Sequence, residues 1–208
     1  MIFWFFRFFW FFWFFWFFSL LLCIHVFTVE ATFMHCKRLC NMSDLCGVLT
    51  LQTGYGPIGS MYNHRGVHGL WPQVFPYGDS VCFKPFNISM ELPSKVYSCY
   101  ANPFRTKTQI VEFETHEYLK HGICSGVNSS DMYFNQVCQL SNKPLQLMNS
   151  YCIHNEYTKC ISILDQYFYI NNQYDSTAQV ELIACYNYNL KTWNLPLKIK
   201  IKDHGSIE

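Results

Sequence analysis

Residues 46–56, CGVLTLQTGYG, open with an alternating apolar run and close in a glycine-rich turn, which predicts a strand over residues 48–52. Further on, VHGLWP (residues 67–72) reads as a strand end running into a turn at Pro72. The stretch SSDMYFNQVCQLSNKP (residues 129–144) carries apolar residues at helical spacing. Ser130 or Asp131 serves as its N-cap and Pro144 as its stop. Residues 149–168, NSYCIHNEYTKCISILDQYF, are suited to another helix. AQVELIACYN (residues 178–187) and PLKIKIK (residues 196–202) alternate and read as a late strand pair. Strands and helices occur in mixed order without a β-α-β rhythm. The expected fold class is α+β, a central antiparallel sheet with packed helices. No long linker, heptad run or convincing repeat interrupts it; HNEYTKC (residues 154–160) echoes HEYLKHGIC only by coincidence.

The first 31 residues do not belong to this pattern. Residues 3–18 are almost wholly Phe and Trp around a single Arg7, and the apolar run continues through LLLCIHVF. The small residues of VEA (29–31) suit a signal peptidase, so a secretory signal cleaved after Ala31 is expected, with 32–208 as a single domain. An uncleaved anchor is the alternative, since residues 8–29 reach the roughly 20 residues that span a bilayer. Cysteine usage agrees with a lumenal address in either case. Eleven cysteines less Cys23 leave ten, an even set that reads as a disulfide framework, and no CxxC pair suggests zinc. Sequons at Asn41, Asn87 and Asn128 are expected glycosylation sites on the same route. Removing Arg7 and Glu30 leaves 15 − 1 = 14 basic and 14 − 1 = 13 acidic residues, near neutrality and without a basic block. Seven histidines remain, and they charge below about pH 6.5, so a polyanion would be held better in an acidic compartment.

Four of the chain's chemically active groups crowd into ETHEYLKHGIC (residues 114–124). At about 100° per residue, His116 and Lys120 share one helix face and Glu117 and His121 the adjoining one. A zinc protease needs H-E-x-x-H. Here the histidines stand five apart, which turns the second imidazole about 140° from the first. A solvated helix face is the bland reading. The sharper one is metal-independent cleavage of a phosphodiester through its 2′-hydroxyl, which needs a base, an acid and positive charge at the transition state. HRGVHGLWPQ (residues 64–73) supplies a further histidine, His68, in a defined turn beside Trp71, a flat platform for a base.

Together the two segments resemble the ribonuclease T2 family of secreted endoribonucleases. HGLWP is matched in full by residues 68–72. A second family segment, close to F-x-x-H-E-W-x-K-H-G-x-C, is matched by Phe113, His116, Glu117, Lys120, His121, Gly122 and Cys124. The resemblance spans about residues 49–202 and implies the family's α+β fold. It implies His121 as the base on the 2′-hydroxyl and His68 as the acid on the 5′-oxygen, two roles the sequence leaves open to exchange. It also implies His116 as a phosphate holder, with Glu117 and Lys120 orienting and stabilising the transition state. Trp71, Gln73 and Tyr77 are the expected substrate-binding residues. The expected products are 2′,3′-cyclic phosphates, then 3′-phosphates, by a lyase and then a hydrolase step. No cofactor or metal is needed, RNA is the partner, and the chain is expected to act as a monomer in a secreted, lysosomal or vacuolar setting, free of the membrane after signal cleavage. A Cys82–Cys124 bridge is suggested, with Cys99 the competing partner. Tyr118 replaces the family's usual Trp, Glu114 stands where an aromatic residue is common, and Gln52 is followed by Thr-Gly-Tyr rather than Trp-Pro. No cysteine follows Cys185, so the family's usual C-terminal bridge is altered or absent. A catalytically inactive RNA-binding or toxin-like protein on the same fold is the alternative.

Overall fold

A computed structural model describes residues 39–40, 45–58, 60–72, 89, 91–152, 157–171 and 177–198. Its strands are β1 (Cys46–Thr53), β2 (Arg65–Pro72), β3 (Gln179–Asn187) and β4 (Thr192–Asn194). They form one antiparallel sheet in the order β2-β1-β3-β4. The helices are α1 (Lys107–Lys120), α2 (Ser130–Tyr151) and α3 (Tyr157–Tyr167). The expected α+β class with a central antiparallel sheet is what the chain forms. Residues 1–31, where a signal is expected, and Asn41, Asn87, Gln73, Tyr77 and Cys82 lie outside the described residues.

Strand alternation splits the sheet into two unlike faces. Leu49 and Leu51 of β1, Val67 and Leu70 of β2, and Val180, Leu182 and Ala184 of β3 turn to the main core. There they meet Tyr133, Phe134, Val137, Leu147 and Met148 of α2, which recur at helical spacing on one stripe. Truncating one such aromatic to alanine costs about 3–5 kcal/mol. The opposite face carries Thr50 and Gln52 of β1 directly across from Glu181 and Gln179 of β3, and all four are buried. A sheet buried on both faces, with this polar patch at one end of the second face, is the frame for the site.

Several boundaries differ from the sequence reading. Helix α2 is capped by Ser129, whose hydroxyl accepts from the Met132 N–H, rather than by Ser130 or Asp131. Pro144 does not stop it; the helix runs on to Tyr151 with Pro144 buried inside. An internal proline forfeits one backbone bond and costs about 3 kcal/mol. The turn beyond it buries Leu147 and Met148, and the Cys152–Cys160 disulfide ties its end to α3, so tertiary packing outweighs the local preference. The late strand pair is also different. The partners of β3 are β1 and the short β4, while Leu197 makes only an isolated bridge to Phe168. Residues 199–202 lie outside the described residues.

Disulfides tie the layers together. Cys99–Cys138 joins the segment before α1 to α2, and Cys40–Cys185 fastens β3 to the start of the described chain. Cys185 thus bridges backwards to an early cysteine, in place of a C-terminal bridge.

Candidate active site

His68 comes from an irregularity in β2. Thr50 pairs with Gly69 and Leu51 with Val67, so the register shifts and His68 has no residue opposite it on β1. Such a bulge re-aims a side chain that regular alternation would place elsewhere. From this position His68 Nε2 lies 3.3 Å from Glu117 Oε1, and its Nδ1 meets the side-chain amide of Gln179.

Glu117 arrives from α1. The helix starts in a capping box, with Thr106 accepting from the Gln109 N–H and Gln109 reaching back to the Thr106 N–H. Glu117 sits in the last turn, only 1 % exposed. Its second oxygen, Oε2, accepts the Trp71 Nε1–H at 3.0 Å. Gly69 makes this approach feasible: a Cβ there would stand 2.2 Å from Glu117 Oε2 and 2.9 Å from Trp71 Nε1. The glycine of HGLWP is thus a gap that the carboxylate fills.

Trp71 joins the two segments. Its ring lies edge-on to His68 at 5.0 Å and stacks on His121 at 5.1 Å. One indole face and the indole N–H are therefore engaged within the cluster, a structural duty beside the base-stacking one expected of it. His121 is not inside the helix as the 100° rotation assumed. It is the C-cap of α1, with φ −124° and ψ −42°, and its N–H donates to the Glu117 carbonyl at 2.9 Å. The chain then tightens through Gly122–Cys124, where a Cβ on Gly122 would stand 2.4 Å from the Tyr118 ring. This break in helical geometry, rather than helical phase, turns His121 onto Trp71.

Burial lowers the His121 pKa to about 4. The Glu117 carboxylate opposes the shift, while the positive charges of Lys120, His68 and His116 add to it. His121 is therefore neutral throughout mildly acidic solution. His116 and Lys120 are exposed on the outer side of α1. Glu114, one turn before Glu117, is fully buried. Burial raises its pKa to about 7, partly offset by the Tyr97 N–H that Oε1 accepts. A water-sized cavity of about 20 Å³ is lined by Gln52, His64, Gly66, Asn102, Arg105 and Phe113 among others.

Two contributors escaped the sequence reading. Gln179 and Glu181 were seen only as the polar half of an alternating strand. Both are buried, Gln179 against His68 and Glu181 against Asn171, which donates to it at 2.7 Å. Burial raises the Glu181 pKa, and Asn171 and the His68 charge pull it back down. Of the disulfide reading, Cys99 is committed to Cys138, which removes the competitor for Cys124. Cys124 is itself disulfide-bonded.

Among the described residues an antiparallel sheet packed with helices, holding two imidazoles around one buried carboxylate and an indole, defines an α+β protein with a cluster of titratable groups at the meeting of β2 and α1. The chain belongs to the ribonuclease T2 family, whose model matches residues 29–195. This membership makes it a ribonuclease-family chain with RNA as its substrate class. No curated protein and no solved structure matches it. Among the described residues no helix is long and apolar enough to cross a membrane.

Proposed function

We propose that the chain is an endoribonuclease that cleaves single-stranded RNA by metal-independent transphosphorylation. His121 takes the proton of the 2′-hydroxyl, and the 2′-oxygen attacks phosphorus. The bond from phosphorus to the 5′-oxygen breaks, and His68 gives its Nε2 proton to the departing oxygen. The products are a 2′,3′-cyclic phosphate and a free 5′-hydroxyl. In the second half-reaction water replaces that hydroxyl, the proton roles reverse, and a 3′-phosphate results. Both imidazoles end as they began. His116 and Lys120 hold the phosphate and its developing charge. Glu117 orients His68 through Oε1 and Trp71 through Oε2. Trp71, Gln73 and Tyr77 engage the bases.

The single observation that carries this reading is the meeting of His68 and His121 at Trp71, one in T-shaped contact with the indole and the other stacked on it, although the two motifs are far apart in the chain. The assignment of base to His121 draws on its lowered pKa: a base must be unprotonated to act, and His121 is so at any pH above about 4. The same reading takes residues 1–31 as a cleaved secretory signal and 32–208 as one monomeric domain. It makes Asn41, Asn87 and Asn128 glycosylated, with Asn128 exposed as an acceptor must be. It also pairs Cys82 with Cys124 and sets the site of action in a secretory, lysosomal or vacuolar lumen.

The test is cleavage of a single-stranded RNA with EDTA present, with product ends identified by mass. Cyclic phosphate ends that disappear in His68→Ala and His121→Ala variants support the reading; loss of one proton transfer is expected to lower the rate about 100- to 10,000-fold. RNA binding without cleavage in the parent protein instead identifies an inactive RNA-binding protein on this fold.

A further inference from the structure

Two carboxylates lie around His68, and only one of them touches it. Glu117 reaches Nε2 from α1. Glu181 stands on β3, on the same sheet face as Gln179, whose amide meets the ring at Nδ1. The strand register sets how far away it is. Glu181 is directly opposite Thr50 on β1, and Thr50 is opposite Gly69, the neighbour of the bulged His68. Two strand spacings of about 4.8 Å make the separation about 10 Å.

At that range only charge can act, and the surroundings preserve it. Glu181 is 5 % exposed, and Thr50 between the two is fully buried. The Thr50 hydroxyl has no hydrogen-bond partner among the described residues, so it does not spend itself on the carboxylate. Glu181 is held in place by a neutral group. Asn171 gives its backbone N–H to the Glu181 carbonyl at 2.9 Å and its side-chain N–H to Oε2 at 2.7 Å. A buried carboxylate fixed by an amide keeps its charge available to an imidazole further off, and salt screens such a pair little. Burial raises the Glu181 pKa, while the Asn171 bond and then the positive charge of His68 work against that rise. The coupling is reciprocal: what a protonated His68 does for the ionised Glu181, the ionised Glu181 does for a protonated His68.

We propose that Glu181 is a positioning residue for the proton of His68: from two strands away its buried charge keeps the imidazole protonated, and so able to give a proton to the leaving 5′-oxygen, to higher pH than Glu117 alone would. The proposal deepens the reading of His68 as the acid and rests on it. The other titratable or charged groups around the His68 ring are Glu117 of α1, His121 after it and the Tyr62 phenol from the turn before β2. On the segments packed beside β3, Lys198 lies over the Tyr169 ring and is paired with Asp165 at 2.6 Å.

The test is Glu181→Gln in the full chain, which keeps an oxygen for Asn171 and removes the charge. Opposite unit charges about 10 Å apart, at an effective dielectric of about 20, change a protonation ratio roughly tenfold. In acid, where the ring is protonated with or without Glu181, kcat/KM on a single-stranded RNA is expected to match the parent. As pH rises the variant falls away, to about tenfold slower on the basic limb. A loss that is uniform in pH marks a merely structural role and overturns the proposal, as does an unchanged profile. Glu181→Asp keeps a charge and is expected to return most of the rate lost on that limb. Proton NMR of the His68 ring reads the same coupling without reference to activity: its titration moves to lower pH in Glu181→Gln, and an unmoved titration overturns the proposal. If His68→Ala keeps full activity the catalytic reading fails, and the ring titration still decides whether Glu181 acts on His68. Should the glutamine variant fail to fold, Asn171→Leu withdraws the donor that favours the ionised Glu181 and is expected to move the ring titration the same way; no movement there overturns the proposal equally.

Discussion

Glu114→Gln gives a direct measure of a charge the fold holds against its preference. Glu114 is fully buried, and burial raises its pKa from an ordinary 4.5 to about 7. The folded protein keeps this proton up to about pH 7, while the unfolded chain releases it near 4.5. Between those values the unfolded state binds fewer protons, so stability falls as pH rises, and levels off above 7. At about 1.4 kcal/mol per pH unit the loss totals about 3 kcal/mol. Glutamine keeps an oxygen for the Tyr97 N–H and cannot ionise. Its advantage over the parent is expected to be near zero at pH 4.5 and about 3 kcal/mol at pH 8, about 6–12 °C in Tm for a domain of this size. Thermal melts by circular dichroism at several pH values, disulfides intact, would check it. A difference between the two proteins that does not change with pH refutes the argument, because it would mean that Glu114 ionises in the fold as it does in the open chain.

His121 works in the opposite direction: its pKa is lowered from 6.5 to about 4, so stability falls as pH drops through that window, and His121→Asn is expected to remove up to about 3 kcal/mol of acid sensitivity in the same melts. Gly69→Ala is expected to displace Glu117 and abolish most RNA cleavage at a stability cost of about 1–3 kcal/mol, seen by comparing kcat with Tm. Trp71→Phe retains a ring against His121 but removes the N–H that Glu117 accepts. A lost bond to a charged group, about 1.5–3 kcal/mol, predicts a kcat about 10- to 100-fold lower in a steady-state assay.

The fold was legible wherever burial and local pattern agree. Strands β1 and β3 stand out by alternation, and α2 by its apolar stripe. The reading failed where a distant contact overruled a local signal. Pro144 looks like a stop until the buried turn and the disulfide after it are known. PLKIKIK alternates like a strand; Thr192–Asn194 takes the place beside the end of β3, and only residues 196–198 of the segment are described. In the site, two motifs were enough to nominate His68, Glu117, Trp71 and His121. How the groups meet was not legible. The shift that frees His68 depends on pairing with β1, and a motif says nothing of register. Gln179 carries no motif at all, and only the packed sheet brings it to the ring.

The irregular pairing at His68 also sets which changes this stretch can bear. In a strand with strict alternation, an exchanged residue alters one side chain. Here the direction of the imidazole depends on β2 having one more residue between Val67 and Gly69 than the opposing Thr50–Leu51 step accommodates. Loss of a single residue in that step would restore even pairing and delete the reason for the imidazole's direction, although every strand and the core side of the sheet could still form. Gain of one would swing Leu70 off the core and Trp71 toward it. The segment is thus far less tolerant of changes in length than of changes in spelling: a gained residue is expected to cost stability through Leu70, while a lost one is expected to leave a domain that still folds and melts normally but no longer cleaves RNA.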